Sequence, residues 1–107
     1  MHDPQARPPY RCIAARELRA LLAAAPAPRV IDIREPHEWR LGRLEGAECL
    51  PLSELRRWWL TLDPETPLVF CCQRGNRSRA LCQALAAVGF TALWDVAGGV
   101  EGCEGAG

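Results

Sequence analysis

The residues best placed to do chemistry in this 107-residue chain are Cys71-Cys72-Gln73-Arg74-Gly75-Asn76-Arg77-Ser78. They follow the apolar run Leu68-Val69-Phe70 and open into Arg79-Ala80-Leu81-Cys82-Gln83-Ala84-Leu85. This pattern reads as a strand, a short polar loop with one glycine, and a helix. A thiol at the strand's end then faces a helix N-terminus, where unpaired N–H groups and the macrodipole favour an anion. Arg74 and Arg77 bracket the same point. A thiol attacks as its thiolate, and a helix N-terminus stabilises an anion by up to ~2 kcal/mol in a partly buried geometry. A neighbouring arginine acts in the same direction. Cys72 is therefore expected to react as a thiolate without a histidine base. The loop N–H groups, from Gln73 to Ser78, would accommodate a second, anionic sulfur attached to it.

The elements that must position this loop can be followed along the chain. Tyr10-Arg11-Cys12-Ile13 is extended and leads into a helix over 14–25, with Leu18, Leu21 and Leu22 at helical spacing. Glu17 stands where a capping box wants it, but Ala14 occupies the cap position. Pro26 and Pro28 stop that helix. Arg29-Val30-Ile31-Asp32-Ile33 is a β-branched strand whose alternation breaks at Asp32. A loop, a short helix opened by Pro36 and a stop at Gly42 follow. Ala47–Leu50 is a short strand, and Ser53 is the expected cap of a helix over 54–60. Residues 63–67 form a turn. The helix after the cysteine loop runs to Val88 and ends at Gly89, and residues 91–96 make the last strand. The glycine-rich tail carries no clear helical pattern. Strands alternating with helices at this spacing predict an α/β fold, a parallel sheet with helices on both faces. Ligands in such folds sit beyond the carboxyl ends of the strands, where Cys72 and the Asp32–Arg34 segment both fall.

Composition narrows the function classes. The length suits one domain, residues 10–107, behind a disordered lead-in, residues 1–9. The formal net charge is zero, which argues against nucleic acid or an anionic membrane as partner. No apolar stretch approaches the ~20 residues a membrane span needs. Absence of lysine excludes lysine Schiff-base chemistry. The cysteines, at 12, 49, 71, 72, 82 and 103, form no C-x-x-C pair, and there are only two histidines. That spacing fits neither a metal site nor a disulfide framework, and it points to a reducing cytoplasm. Cys12, Cys49 and Cys82 read as small core residues.

Four segments together resemble the rhodanese family of sulfurtransferases. Cys72-Gln73-Arg74-Gly75-Asn76-Arg77-Ser78 matches the family's active loop, C-x-x-G-x-R-S. Val30-Ile31-Asp32-Ile33-Arg34-Glu35-Pro36-His37-Glu38-Trp39 is similar to its V-I-D-V-R-E-x-x-E-[YW] segment. Gly42-Arg43-Leu44-Glu45-Gly46-Ala47, with Leu50-Pro51-Leu52, resembles its G-H-I-x-G-A and I-P-L stretch. Gly98-Gly99 matches the glycine pair before the last helix. The resemblance implies a single rhodanese-like domain with a central parallel sheet of about five strands. It also implies a thiosulfate sulfurtransferase that carries sulfur as a covalent persulfide on Cys72, with no other cofactor. The implied partners are a small sulfur donor and an acceptor, which is cyanide in an assay and a thiol or protein cysteine in a cell. Gln73, Arg74, Gly75, Asn76, Arg77 and Ser78 would bind the substrate. Arg77 is expected to brace the loop through Asp32, and Arg74, at a variable position, to contact the donor. Asp32 and Arg34 read as a buried ion pair that supports the loops. The chain departs from the family at Arg43, where histidine is common, and at Cys103, where many members have tryptophan.

Two rival readings remain open on the sequence. Counting from Cys71 gives C-x5-R followed by serine, the spacing of a tyrosine-phosphatase loop. Against it, Phe70 stands in place of a histidine and the glycine is in register with Cys72. Asp95, the one tempting general acid, reads as a strand-end turn residue. The other rival is a non-catalytic sulfur-carrier or binding module on the same fold, with Trp39, Trp58 and Trp59 as candidate contacts. Trp58 and Trp59 cannot both face inward on one helix, which would leave one of them exposed.

Overall fold

A computed structural model describes residues 10–44 and 46–101. The expected lead-in, Glu45 and the tail with Cys103 lie outside the described residues. Five strands, β1 (Arg11–Ile13), β2 (Arg29–Asp32), β3 (Glu48–Cys49), β4 (Leu68–Cys71) and β5 (Leu93–Val96), form one sheet. Their order is β1-β5-β4-β2-β3, and every pairing is parallel. The helices are α1 (Ala15–Ala23), α2 (Pro36–Trp39), α3 (Leu55–Trp58) and α4 (Asn76–Ala87). Parallel strands need crossovers, and the crossovers supply helices to both faces.

The central strand β4 shows why the sheet is buried on both sides. Leu68 and Phe70 point into a core with Ile31, Ile33, Trp58, Leu81, Cys82 and Leu85, on the α3 and α4 side. Val69 and Cys71 point into a second core with Ile13, Leu18, Val30 and Val96, on the α1 side. All four β4 side chains are fully buried. Period-two alternation therefore sends neighbouring Cys71 and Cys72 to opposite faces, and Cys72 belongs to the α4 side.

Several local expectations change. Helix α1 spans Ala15–Ala23, and the Glu17 carboxylate accepts from the Ala14 N–H at 3.1 Å. That is half a capping box, the half that alanine permits. Ser53 caps nothing: its hydroxyl and N–H both donate to Glu35, at 2.5 and 3.1 Å. The expected helix over 54–60 is broken into a 3-10 turn over Leu52–Glu54, α3, and a second 3-10 turn over Trp59–Thr61. The change of period lets Trp58 fill the core while Trp59 stays half-buried against it, so Leu60 is the exposed residue. Cys12 is exposed rather than a core residue, because β1 is a short edge strand. Cys82 is buried as expected and Cys49 partly so. No helix among the described residues is long and apolar enough to cross a membrane.

After β5 the chain turns at Gly98-Gly99 and residues 99–101 enter a helical turn. This segment docks directly on the cysteine loop. Val100 N–H donates to the Cys72 carbonyl at 2.8 Å, and Glu101 N–H to the Gln73 carbonyl at 3.1 Å. A Cβ on Gly99 would lie 2.1 Å from the Cys72 carbonyl oxygen and 2.7 Å from that of Gln73, and φ there is +59°. Only glycine fits this backbone-on-backbone approach. Gly99→Ala should therefore destabilise the fold by roughly 1–3 kcal/mol, the usual range for overpacking, read as a lower urea midpoint. An unchanged midpoint would mean the segment is not held against the loop.

Candidate active site

The loop from Cys72 to Ser78 lies beyond the carboxyl end of β4, where α4 begins. Gly75 precedes α4 with φ +99°, a conformation that favours glycine. A Cβ there would also crowd the Val96 carbonyl at 3.3 Å. With Gly75 turned this way, its own N–H points at the Cys72 Sγ at 3.1 Å, and the Ser78 N–H lies 3.5 Å from the same sulfur. Cys72 is 1 % exposed. It lines a cavity of about 390 Å³ together with Glu38, Gln73, Arg74, Asn76 and Arg77. The structure brings Gln73, Arg74, Asn76 and Arg77 together around Cys72, and adds Glu38.

Asp32 and Arg34 form the expected buried ion pair, with Nη2 to Oδ2 at 2.9 Å and both side chains almost fully buried. The guanidinium reaches well beyond Asp32. It donates to the Gln73 Oε1 at 2.9 Å, to the Gly42 carbonyl at 2.7 Å and to the Glu38 carbonyl at 3.4 Å. One cation thus joins the end of β2, helix α2 and the cysteine loop.

Arg77 does brace the loop, but through Glu38 and not Asp32. Its Nη1 and Nη2 each donate to a Glu38 carboxylate oxygen at 2.8 Å. Both Asp32 carboxylate oxygens already accept from Arg34, Oδ1 from Nε and Oδ2 from Nη2. The bidentate hydrogen bonds from Arg77 hold the Glu38 carboxyl down at about 2, well below its ordinary range. Arg74 is 75 % exposed, and its only ion pair among the described residues is with Glu101, at 3.5 Å.

Asp95 is a second correction. It lies inside β5, not at a turn, and is completely buried. The Ser78 hydroxyl donates to one of its oxygens and the Cys12 thiol to the other. Arg79 approaches to 3.9 Å. The same hydroxyl is 3.5 Å from Cys72 Sγ, so Asp95 holds the Ser78 side chain beside Cys72 and is not among the residues that line the cavity. An acid in the apolar run Leu93–Val96 was the available signal, since a strand buried on both faces cannot leave a carboxylate unpaired. Glu38, likewise missed as a site residue, was legible only within its motif.

Cys71, Cys82 and Cys12 lie in other surroundings. Cys71 is buried on the far side of the sheet, with its thiol 3.8 Å from the Ile31 carbonyl. Burial pushes the Cys82 thiol up to about 12, and burial with the adjacent Asp95 carboxylate raises Cys12. Among the described residues, no group of three His, Cys, Asp or Glu side chains could hold a metal ion.

The profile of the Rhodanese-like domain family matches residues 14–106. The chain is 33 % identical over 87 residues to the thiosulfate sulfurtransferase GlpE of Ectopseudomonas mendocina, covering 81 % of this chain and 75 % of that protein. It is 30 % identical over 96 residues to the tRNA uridine(34) hydroxylase of Protochlamydia amoebophila, covering 82 % of this chain but only 30 % of the hydroxylase. Among solved structures, a rhodanese-related protein from Thermoplasma volcanium superposes with a TM-score of 0.80 at 34 % identity, covering 92 % of this chain and 94 % of that one. The human single-domain sulfurtransferase TSTD1 gives 0.66 at 30 % identity, covering 82 % and 88 %.

The Glu38–Arg77 pair has a consequence for acid stability. The Glu38 carboxyl is held at about 2 in the folded chain against an ordinary 4.5. A depressed folded value means stabilisation that is full above pH 4.5 and lost as the pH falls towards 2. Glu38→Gln should therefore lower the melting temperature at pH 6, and the gap to the native chain should close as the pH drops through that window. Thermal melts across the range test this; a gap that stays constant with pH would show that the ion pair does not contribute.

Proposed function

The chain belongs to the rhodanese-like domain family, and on that footing we propose that it is a sulfurtransferase working through a persulfide on Cys72. The observation that carries this reading is the pair of backbone N–H groups, from Gly75 and Ser78, aimed at the sulfur of Cys72, a residue that lines the cavity. The thiolate attacks the outer sulfur of thiosulfate. The donor's S–S bond breaks, sulfite leaves with the electron pair, and Cys72 retains an anionic persulfide. An acceptor nucleophile, either cyanide in an assay or a thiol or protein cysteine in a cell, then attacks the outer sulfur and releases the Cys72 thiolate. Preorganised N–H donors favour the charge at each stage without reorganising.

The same geometry favours one sulfur over a phosphate. The loop is tight enough for Gly75 N–H to contact Cys72 Sγ directly. Nη1 and Nη2 of Arg77 each donate to Glu38, which holds this guanidinium against α2. Cys71, which the phosphatase register requires, faces the opposite core. Asp95, the candidate general acid, is buried behind Ser78.

Intact mass after incubation with thiosulfate tests the proposal. The native chain and Cys71→Ser should gain one sulfur atom, cyanide should remove it as thiocyanate, and Cys72→Ser should gain none. A native chain that gains no sulfur, or a gain that survives in Cys72→Ser, would sink the assignment.

A further inference from the structure

Both arginines at the cavity mouth are already answered by carboxylates. Arg77 is locked in two 2.8 Å bonds to Glu38, itself only 19 % exposed. Arg74 is different: it is largely exposed, and its 3.5 Å contact with Glu101 is long. It is therefore the cation that an incoming oxyanion can recruit most readily, and Glu101 is its competitor. Glu101 does not stand there by chance of a mobile side chain. Its N–H is tied to the Gln73 carbonyl at 3.1 Å, and its carboxylate accepts from the Gln73 side-chain amide at 3.3 Å. The adjoining Val100 N–H is tied to the Cys72 carbonyl at 2.8 Å. The carboxylate is thus presented to Arg74 from a backbone fastened to the cysteine loop.

We propose that Glu101 is a specificity-determining residue, an internal counter-anion that a donor must displace from Arg74, so that the site discriminates against doubly charged oxyanion donors in favour of donors carrying less charge. Two guanidinium groups facing two carboxylates leave the mouth without net charge. A dianion gains little from such a mouth unless Arg74 lets go of Glu101. A monoanion requires that release less. The proposal rests on the sulfur-transfer reading and adds to it the charge class of the donor.

Glu101→Gln is the informative substitution, since the amide oxygen still accepts from Gln73 while the charge is gone. Two donors separate charge from chemistry. Thiosulfate is a dianion. Methanethiosulfonate is a monoanion, whose outer sulfur passes to Cys72 as its S–S bond breaks and methanesulfinate leaves with the electron pair. The readout is the single-turnover rate of sulfur gain at Cys72 as a function of donor concentration. Glu101→Gln should raise the second-order rate with thiosulfate by roughly three- to fivefold, the span that an exposed ion pair can account for. The change should lie in the half-saturating concentration and shrink in high salt. Methanethiosulfonate should change by less than twofold. In an Arg74→Gln background the Glu101→Gln effect should vanish, as the cycle requires if the two residues act on each other.

Three results overturn the proposal: no acceleration by thiosulfate in Glu101→Gln, the same acceleration in the Arg74→Gln background, or the same acceleration from the remote, equally charged change Glu65→Gln. Should the native chain take sulfur from neither donor, the sulfur-transfer reading fails on its own, and the competition is read from sulfate protection of Cys72 against iodoacetamide. The half-protecting sulfate concentration should then fall roughly three- to fivefold in Glu101→Gln; no change overturns the proposal.

Discussion

A buried guanidinium sets the terms for the rest of the site. Arg34 is 2 % exposed, so each of its N–H groups must find an acceptor within the protein. Asp32, two residues away, supplies the countercharge. The remaining hydrogen bonds reach the Glu38 carbonyl, the Gly42 carbonyl and the Gln73 amide oxygen. A buried ion pair is weak evidence of stability for its own sake, because desolvation opposes the Coulombic gain. Its effect here is geometric. The rigid fork of the guanidinium places helix α2 and the cysteine loop at one fixed separation, and Glu38 can then meet Arg77 in a bidentate pair.

From its other side the loop is held by a close backbone approach. Gly99 allows the segment after β5 to approach the Cys72 and Gln73 carbonyls, and Val100 and Glu101 donate to them. With the carbonyls engaged outward on this segment, the Gly75 and Ser78 N–H groups are left to face the sulfur. Ser78 in turn is fixed by Asp95, which reaches it from inside the sheet. The donors around Cys72 are therefore fixed by contacts from β2, α2, β5 and the segment following it. Such preorganisation is what an anionic intermediate requires, since donors that must reorient during reaction contribute less.

What the sequence made legible divides along the range of the interactions. The strand-loop-helix around Cys72, the glycine at 75 and the two-faced parallel sheet follow from local pattern, and the structure carries all three. Asp32 with Arg34 was also readable, because the partners are two residues apart. The partner of Arg77 was not: Asp32 and Glu38 are both acids near the end of β2, and only the three-dimensional allocation of Asp32 to Arg34 leaves Glu38 for Arg77. Ser53 fails as a cap because it lies inside the 3-10 turn Leu52–Glu54, where its hydroxyl and N–H donate to Glu35, brought from another element. Asp95 resembles a turn residue beside the Gly98-Gly99 pair until β5 is seen to be covered on both faces. Cys12 looks like a core residue until β1 is placed at the edge of the sheet.

Neutrality at the cavity mouth also bears on turnover. In the proposed cycle the site meets an anionic donor, holds an anionic persulfide and releases sulfite, a dianion. A mouth with unopposed guanidinium groups would bind thiosulfate and sulfite alike, and such uniform binding lowers the free energy of ground state and product without speeding the chemistry. Stabilisation is better concentrated where the charge resides during transfer, at the sulfur itself. That is where the uncharged donors lie, in the N–H groups of Gly75 and Ser78, while the arginines are paired with Glu38 and Glu101. On this view Arg77 contributes mainly by bracing the loop, and the paired carboxylates keep the entrance from retaining what the sulfur has already released.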